Sequence, residues 1–127
     1  DFSIRIRDNS GVASSMTLEN IDVTSFSSIE VDFYFYVVSM ENGEDFWLRF
    51  FDGSSWSTVE TWTSGVDISN NTFFNATVTI SPAQYNFAVN SGFRFQCDGF
   101  KNANSGLPRN AMTRIDKSTN QSVSKLA

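Results

Sequence analysis

Apolar and polar residues alternate with a period of two along most of this chain, a pattern typical of β-strands whose faces meet different surroundings. The first such segment covers residues 2–7 and places Phe2, Ile4 and Ile6 on one face. The longest covers residues 29–40 and carries aromatic residues on both faces. Aromatic residues on both faces predict a central strand. No segment of useful length follows the period of a helix.

Turn signals separate these segments, and Asn42-Gly43 and Asp52-Gly53 are the hairpin signals among them. Residues 63–71 and 98–111 are rich in small polar residues and predict loops. The pattern therefore predicts a single all-β domain over residues 1–127, a two-sheet antiparallel jelly-roll-like β-sandwich of about eight strands with a polar tail at 118–127. Its predicted core consists of the inward-facing residues Phe33, Phe35, Phe46, Leu48, Phe50, Val78, Phe93 and Phe95.

The composition excludes several kinds of chemistry. The chain has no His and a single Cys, so the usual general base, the usual zinc ligands and an internal disulfide are absent. Cys97 is predicted to be a small buried apolar residue. Asp32 and Glu60 are a nominal carboxylate pair, but nothing in the sequence brings them together. We therefore predict a protein that is not an enzyme and has no catalytic residues.

The net charge of −5 argues against nucleic-acid and anionic-membrane partners, which require a cationic surface. No apolar run of about 18 residues occurs, so no membrane insertion is predicted. The chain begins at Asp1 without a leader, which we interpret as a processed or excised segment. Together with the acidic, hydroxyl-rich composition, this start favours an extracellular, secreted protein.

Four segments of the sequence carry a family resemblance. They are RDNSG at 7–11, SSM at 14–16, SMENGEDFWL at 39–48 and FRFQCD at 93–98. Together they resemble the jelly-roll modules of secreted bacterial and algal proteins, which are similar to carbohydrate-binding and MAM-like domains. The resemblance covers roughly residues 2–100 and implies a sandwich fold without fixing a ligand. The last predicted strand, around residues 112–117, departs from that family's pattern because it is polar.

One candidate site is a glycan platform, because flat aromatic side chains stack on sugar rings while Arg and Gln supply directional hydrogen bonds to sugar hydroxyls. Its candidate residues, expected on the outer face of one sheet, are Tyr34, Tyr36, Trp47, Arg49, Phe51, Arg94 and Gln96. The alternative is that another layer covers these aromatics as ordinary packing.

Two further candidates involve carboxylate and amide side chains. Calcium is one candidate ligand, because carboxylates in the predicted turns offer the oxygen atoms that it prefers. No spacing assigns a ligand set, and we predict no metal site. The carboxylates concerned are Asp8, Glu41, Glu44, Asp45, Asp98 and Asp116. Three Asn-X-Ser/Thr sequences predict glycosylation acceptors at Asn70, Asn75 and Asn120.

The last candidate is self-assembly. A polar closing strand leaves room for a strand donated by a second copy, with Phe2, Ile4 and Ile6 filling its pockets. Donation of residues 1–7 from head to tail does not close on itself and would build a fibre or surface appendage. The alternative is that this strand folds into its own domain. The sequence thus predicts a non-catalytic extracellular structural module that partners itself, with a glycan-binding module as the alternative.

Overall fold

The computed structural model describes residues 4–7, 14–97, 110–114 and 124–126, and within these ranges the chain forms nine β-strands and no helix. The strands are β1 (Ile4–Arg7), β2 (Ser15–Ile21), β3 (Ser28–Val38), β4 (Asp45–Phe51), β5 (Trp56–Thr63), β6 (Thr72–Ile80), β7 (Ser91–Cys97), β8 (Asn110–Arg114) and β9 (Ser124–Leu126). The all-β prediction is confirmed. The sequence did not predict β9, since three residues are too few to show an alternating pattern.

The strands form two antiparallel sheets. The first sheet has the order β1-β8-β3-β6, and β9 pairs with the same edge of β3 as β8 does. The second sheet has the order β2-β7-β4-β5. In this structure β1 pairs with β8 of its own chain, from Ile4 opposite Thr113 to Arg7 opposite Asn110. Of the three side chains predicted to mediate assembly, Ile6 is buried, Ile4 is half-buried, and Phe2 lies outside the described residues.

The inner faces of the two sheets share one hydrophobic core. The ring of Phe33 on β3 meets that of Phe95 on β7 with 4.7 Å between centroids, and Phe35 lies 4.8 Å from Phe46 on β4. Edge-to-face and tilted contacts at these distances are favourable arrangements for aromatic rings. All eight residues predicted for the core are buried, as is Cys97.

The loop between β6 and β7 covers one end of this core. Tyr85 and Phe87 place their rings 5.9 Å and 6.0 Å from the ring of Phe50. The alternating pattern does not predict these contacts with the core, because both residues lie in a loop. Among the described residues, filling of both inner faces and this end leaves the two outer faces and their edges as accessible surface.

Candidate ligand-binding face

The structure divides the predicted glycan-binding residues between opposite sides of the molecule. Tyr34 and Tyr36 belong to β3 and lie on the outer face of the first sheet. The other five belong to β4 and β7 and share the outer face of the second sheet; they are Trp47, Arg49, Phe51, Arg94 and Gln96. The expectation of one common face is corrected, because strand alternation fixes the face of a side chain but not the sheet that its strand joins.

Strand register arranges this outer face in rows. At its centre Arg94 of β7 lies opposite Thr17 of β2 on one side and Arg49 of β4 on the other, and Arg49 lies opposite Thr58 of β5. We call these four residues the arginine row. On one side of it, Gln96 lies opposite Trp47.

The guanidinium of Arg94 is fixed by two contacts. Its Nε donates to the hydroxyl of Thr17 at 3.0 Å, and its Cζ lies 4.0 Å from the centroid of the Trp56 indole. A guanidinium stacked on an aromatic face in this way gains a cation–π attraction. Trp56 itself lies against Phe51, with 5.2 Å between ring centroids. One face of the Trp56 indole is therefore occupied by Arg94.

Arg49 is held more sparsely. Its Nη1 donates to Oε1 of Gln96 at 3.2 Å, while its Nε is buried without an acceptor. A buried donor without a partner is uncommon and costs stability. Arg49 is thus positioned by strand packing and one amide, and its own hydrogen-bonding capacity is largely unused.

A groove of about 240 Å³ lies on the other side of the arginine row. Its apolar wall is the Phe51–Trp56 pair, and its polar lining residues include Glu19, Asn20 and Asn90. We call this site the aromatic groove; its lining residues are Glu19, Asn20, Phe51, Trp56, Asn90, Ser91 and Gly92. Apolar rings next to a few polar groups are the usual make-up of a small-ligand site.

Two local backbone features create the groove. The pairing of β2 with β7 shifts between Leu18 and Ile21, and Asn20 in this bulge has a positive φ of 58°. Bulges of this kind change the local direction of a strand, and Asn20 is part of the groove lining here. Gly92 forms the floor, because a Cβ there would lie 2.7 Å from the carbonyl oxygen of Leu18 and 3.4 Å from Cη2 of Trp56. Trp56 therefore extends from the edge strand β5 across β4 towards β7.

The hairpin between β4 and β5 is closed by Asp52. Its Oδ1 accepts hydrogen bonds from the backbone N–H of Ser55 at 2.8 Å and from the backbone and hydroxyl of Ser54, both at 2.9 Å. The Ser55 and Ser54 hydrogen bonds hold the pKa of Asp52 below its ordinary value, because they favour the charged form. This turn places Phe51 directly opposite Trp56 and so builds the apolar wall of the groove.

The outer face of the first sheet is organised differently. Tyr36 packs on Phe73 with 4.7 Å between ring centroids, and Tyr34 and Phe73 are about half exposed. Asp32 on β3 accepts a hydrogen bond from Asn75 of β6 at 2.7 Å, whereas Glu60 lies on β5 of the other sheet. The structure does not bring the nominal carboxylate pair together on one sheet.

Two predicted glycosylation acceptors use their amide groups within the fold. Asn70 Nδ2 donates to the carbonyl of Met40 at 2.8 Å, and Asn75 Nδ2 donates to Asp32 at 2.7 Å and to the carbonyl of Phe33 at 3.1 Å. A glycan on Asn75 would replace one of the two protons that make its bonds. Asn120 lies outside the described residues, and glycosylation stays a prediction.

The described carboxylates do not gather into a metal site. Within residues 4–7, 14–97, 110–114 and 124–126, no group of three acidic or Cys side chains is arranged to hold an ion. Glu44 is buried and accepts from the backbone N–H of Glu41 at 2.7 Å, while Asp45 accepts from the hydroxyl of Thr63 at 2.8 Å. The other predicted positions lie outside the described residues; they are Asp8, Asp98 and Asp116.

Comparison with known proteins supplies no family. No protein-family model matches the chain, and no curated protein matches it at a significant level. In the part of the chain that the structure describes, no helix has the length and hydropathy that a bilayer crossing requires.

The most informative residue that the sequence does not single out is Trp56. The Asp52-Gly53 turn signal could have found it, because a hairpin closing there pairs Phe51 with Trp56. Glu19, Asn20 and Asn90 carry no such signal, since they reach the groove from strands and loops distant in the chain.

Proposed function

We propose that this chain is a non-catalytic carbohydrate-binding module of an extracellular protein, and that its ligand lies on the outer face of the second sheet. The observation that carries the proposal is the aromatic groove, where the Phe51–Trp56 pair adjoins the polar residues Glu19, Asn20 and Asn90. Sugars present apolar C–H faces and hydroxyl edges, which match an aromatic wall beside carboxylate and amide groups. Trp47 and Gln96, beyond the arginine row, extend the same face.

The proposal includes the jelly-roll-like topology that the family resemblance implies. Repeated crossing of the chain between the two sheets supports it, since β1, β3 and β6 lie in one sheet and β2, β4 and β7 in the other. In sandwiches of this kind the outer faces are free to vary without disturbing the core, so binding sites are readily built there.

Affinity electrophoresis through gels that contain different polysaccharides tests the proposal. We expect the wild-type chain to be retarded by at least one polymer, and F51A and W47A to reduce that retardation by about tenfold, since each removes an aromatic contact. The matched control is Y34A together with F73A on the opposite face, which should leave retardation unchanged. Absence of retardation across a broad panel of neutral and acidic polymers would overturn the proposal.

A second candidate is self-assembly by exchange of β1 between copies. In the described part of the chain β1 is an outer strand that pairs with β8 alone, and it inserts the buried side chain of Ile6 into the core. A strand held by one neighbour and one core side chain is suited to exchange. Electron microscopy and sedimentation over a concentration series test this: assembly requires oligomers or filaments that disappear when residues 1–7 are deleted. A wild-type chain that stays monomeric at high concentration rules it out.

A further inference from the structure

The arginine row juxtaposes two cations that nothing in the described structure neutralises. Arg49 and Arg94 lie directly opposite each other on neighbouring strands and on the same outer face. Side chains in such a pair have their Cβ atoms about 4.5–5.5 Å apart, and like charges there are destabilising. The chain carries fourteen acidic residues and nine basic ones, so acidic residues are plentiful. A shortage of carboxylates therefore does not explain why two arginines are neighbours.

The partners of these arginines within the described residues are all uncharged. Arg94 contacts a hydroxyl and an indole, and Arg49 contacts an amide. A guanidinium has five N–H donors, of which each arginine uses one in a hydrogen bond to described residues. The buried Nε of Arg49 is left without any acceptor. A pair that served the fold alone would be expected to hold a carboxylate between its members.

The same contacts fix the two guanidinium groups before any ligand arrives. Stacking on Trp56 and the bond to Thr17 restrict the plane of Arg94, and burial of Nε restricts Arg49. A planar guanidinium held in place loses little conformational entropy when it binds a carboxylate or sulfate through two parallel bonds. Preorganised, unneutralised arginines are therefore a favourable site for an anionic group.

We infer that the ligand of this face is an acidic glycan whose carboxylate or sulfate group binds between Arg49 and Arg94; this inference rests on the proposed function. Trp56 connects the two halves of the site, since its indole contacts Arg94 and also lines the aromatic groove. A sugar ring in the groove would thus place a charged substituent at the arginine row.

Polymer pairs that differ only in charge test the inference without any variant. The probes are polygalacturonate against its fully methyl-esterified form, and dextran sulfate against dextran, in affinity gels at low and high salt. We expect the acidic member of at least one pair to bind about tenfold more tightly, because a charge-assisted bidentate contact contributes at least this much. The preference for the acidic polymer should diminish as salt is added. A preference in the polygalacturonate pair indicates carboxylate recognition, and a preference in the dextran pair indicates sulfate recognition.

The variants R49Q and R94Q should remove this preference, with binding of the acidic polymer falling about tenfold and binding of the neutral polymer falling less than about twofold. R94K keeps the charge but loses the planar fork, so it should bind at an intermediate level. The matched control is R5Q on β1, which makes the same charge change at an exposed position of the other sheet. Urea unfolding of each variant establishes that the fold is retained.

The outcomes separate the two proposals. Equal binding of charged and uncharged members, or R49Q and R94Q matching R5Q, overturns the inference and leaves glycan binding standing. Binding to none of the polymers overturns both. Inorganic polyphosphate bound as tightly as the acidic glycan, with the same dependence on Arg49 and Arg94, supports the anion site and overturns the glycan as its ligand.

Discussion

The side-chain amide of Asn70 binds both backbone polar groups of Met40. Its Oδ1 accepts from Met40 N at 2.9 Å and its Nδ2 donates to Met40 O at 2.8 Å. Met40 follows the end of β3 and Asn70 precedes β6, and beside them the backbone N–H of Asn71 donates to the carbonyl of Val37 at 2.7 Å. The amide thus continues the β3–β6 pairing beyond the last strand residues.

We expect N70A to lower the free energy of unfolding by about 1–3 kcal/mol, because the backbone groups of buried Met40 lose their partners. N70D keeps the acceptor for the Met40 N–H but places a carboxylate oxygen against the Met40 carbonyl, so it should also be destabilising. Urea denaturation measures both, with S69A, an exposed hydroxyl next to Asn70, as the control. Equal stability of N70A and S69A would show that the contact contributes nothing.

The aromatic core should respond strongly to truncation at Phe33. Its ring packs across the two sheets against Phe95 and also meets Trp62 at 5.6 Å, and it is 2% exposed. We expect F33A to destabilise the domain by about 3–5 kcal/mol. F73A removes the same ring from a position that is 54% exposed, and it should cost less than about 1 kcal/mol. Similar urea midpoints for the two variants would contradict the assignment of the inner and outer faces.

Adding one methyl group at Gly92 should disturb both the sheet and the groove. The new Cβ would lie 2.7 Å from the carbonyl oxygen of Leu18, a backbone atom that cannot move without shifting β2. We expect G92A to cost about 1–3 kcal/mol, as overpacking does, and to move Trp56, so that tryptophan fluorescence and glycan retention both change.

The contrast for G92A is G43A. At Gly43 a Cβ would have nothing within 4 Å, but the positive φ of 89° is strained for any L-residue. Its cost of about 1–2 kcal/mol should come without any change in fluorescence or ligand binding. If G92A left fluorescence and binding unchanged, the close approach of β2 and Trp56 to Gly92 would be refuted.

The stability of the domain should fall as the pH is lowered through the range in which Asp52 titrates. Hydrogen bonds from Ser55 and Ser54 lower its folded-state pKa from an ordinary value of 3.8. A lowered folded pKa gives a stabilisation that is present above pH 3.8 and disappears as the pH falls through the folded value. Hydrogen bonds from Thr24 lower the pKa of Asp22 in the same way.

The measurement is urea unfolding at several pH values between about 2 and 6, on the wild type and on D52N. The amide of Asn still accepts the Ser54 and Ser55 bonds but does not titrate. D52N should therefore show a shallower loss of stability in acid, and an identical slope would contradict the role assigned to Asp52. D67N, in an exposed turn after β5, is the control for the loss of one carboxylate.

Strand pattern predicted the parts of this fold that depend on neighbouring residues. The alternation through Phe33 and Phe35 separates inner from outer side chains, and the Asp52-Gly53 signal marks the turn that pairs Phe51 with Trp56. The candidate site was predicted only in part. Arg49 and Arg94 were expected to share an outer face and do so, whereas Tyr34 was expected on that same face and lies on the opposite side of the molecule.

The sequence by itself determined that the chain is all-β and which side of each strand turns inward, because side-chain direction in a strand has a period of two. Only the tertiary structure decided which strands are neighbours, since pairing joins segments far apart in the chain. That pairing placed Arg49 opposite Arg94, brought Glu19 to the rim of a groove walled by Trp56, and left Tyr34 on the other sheet. A binding face depends on such long-range neighbours, which no local pattern encodes.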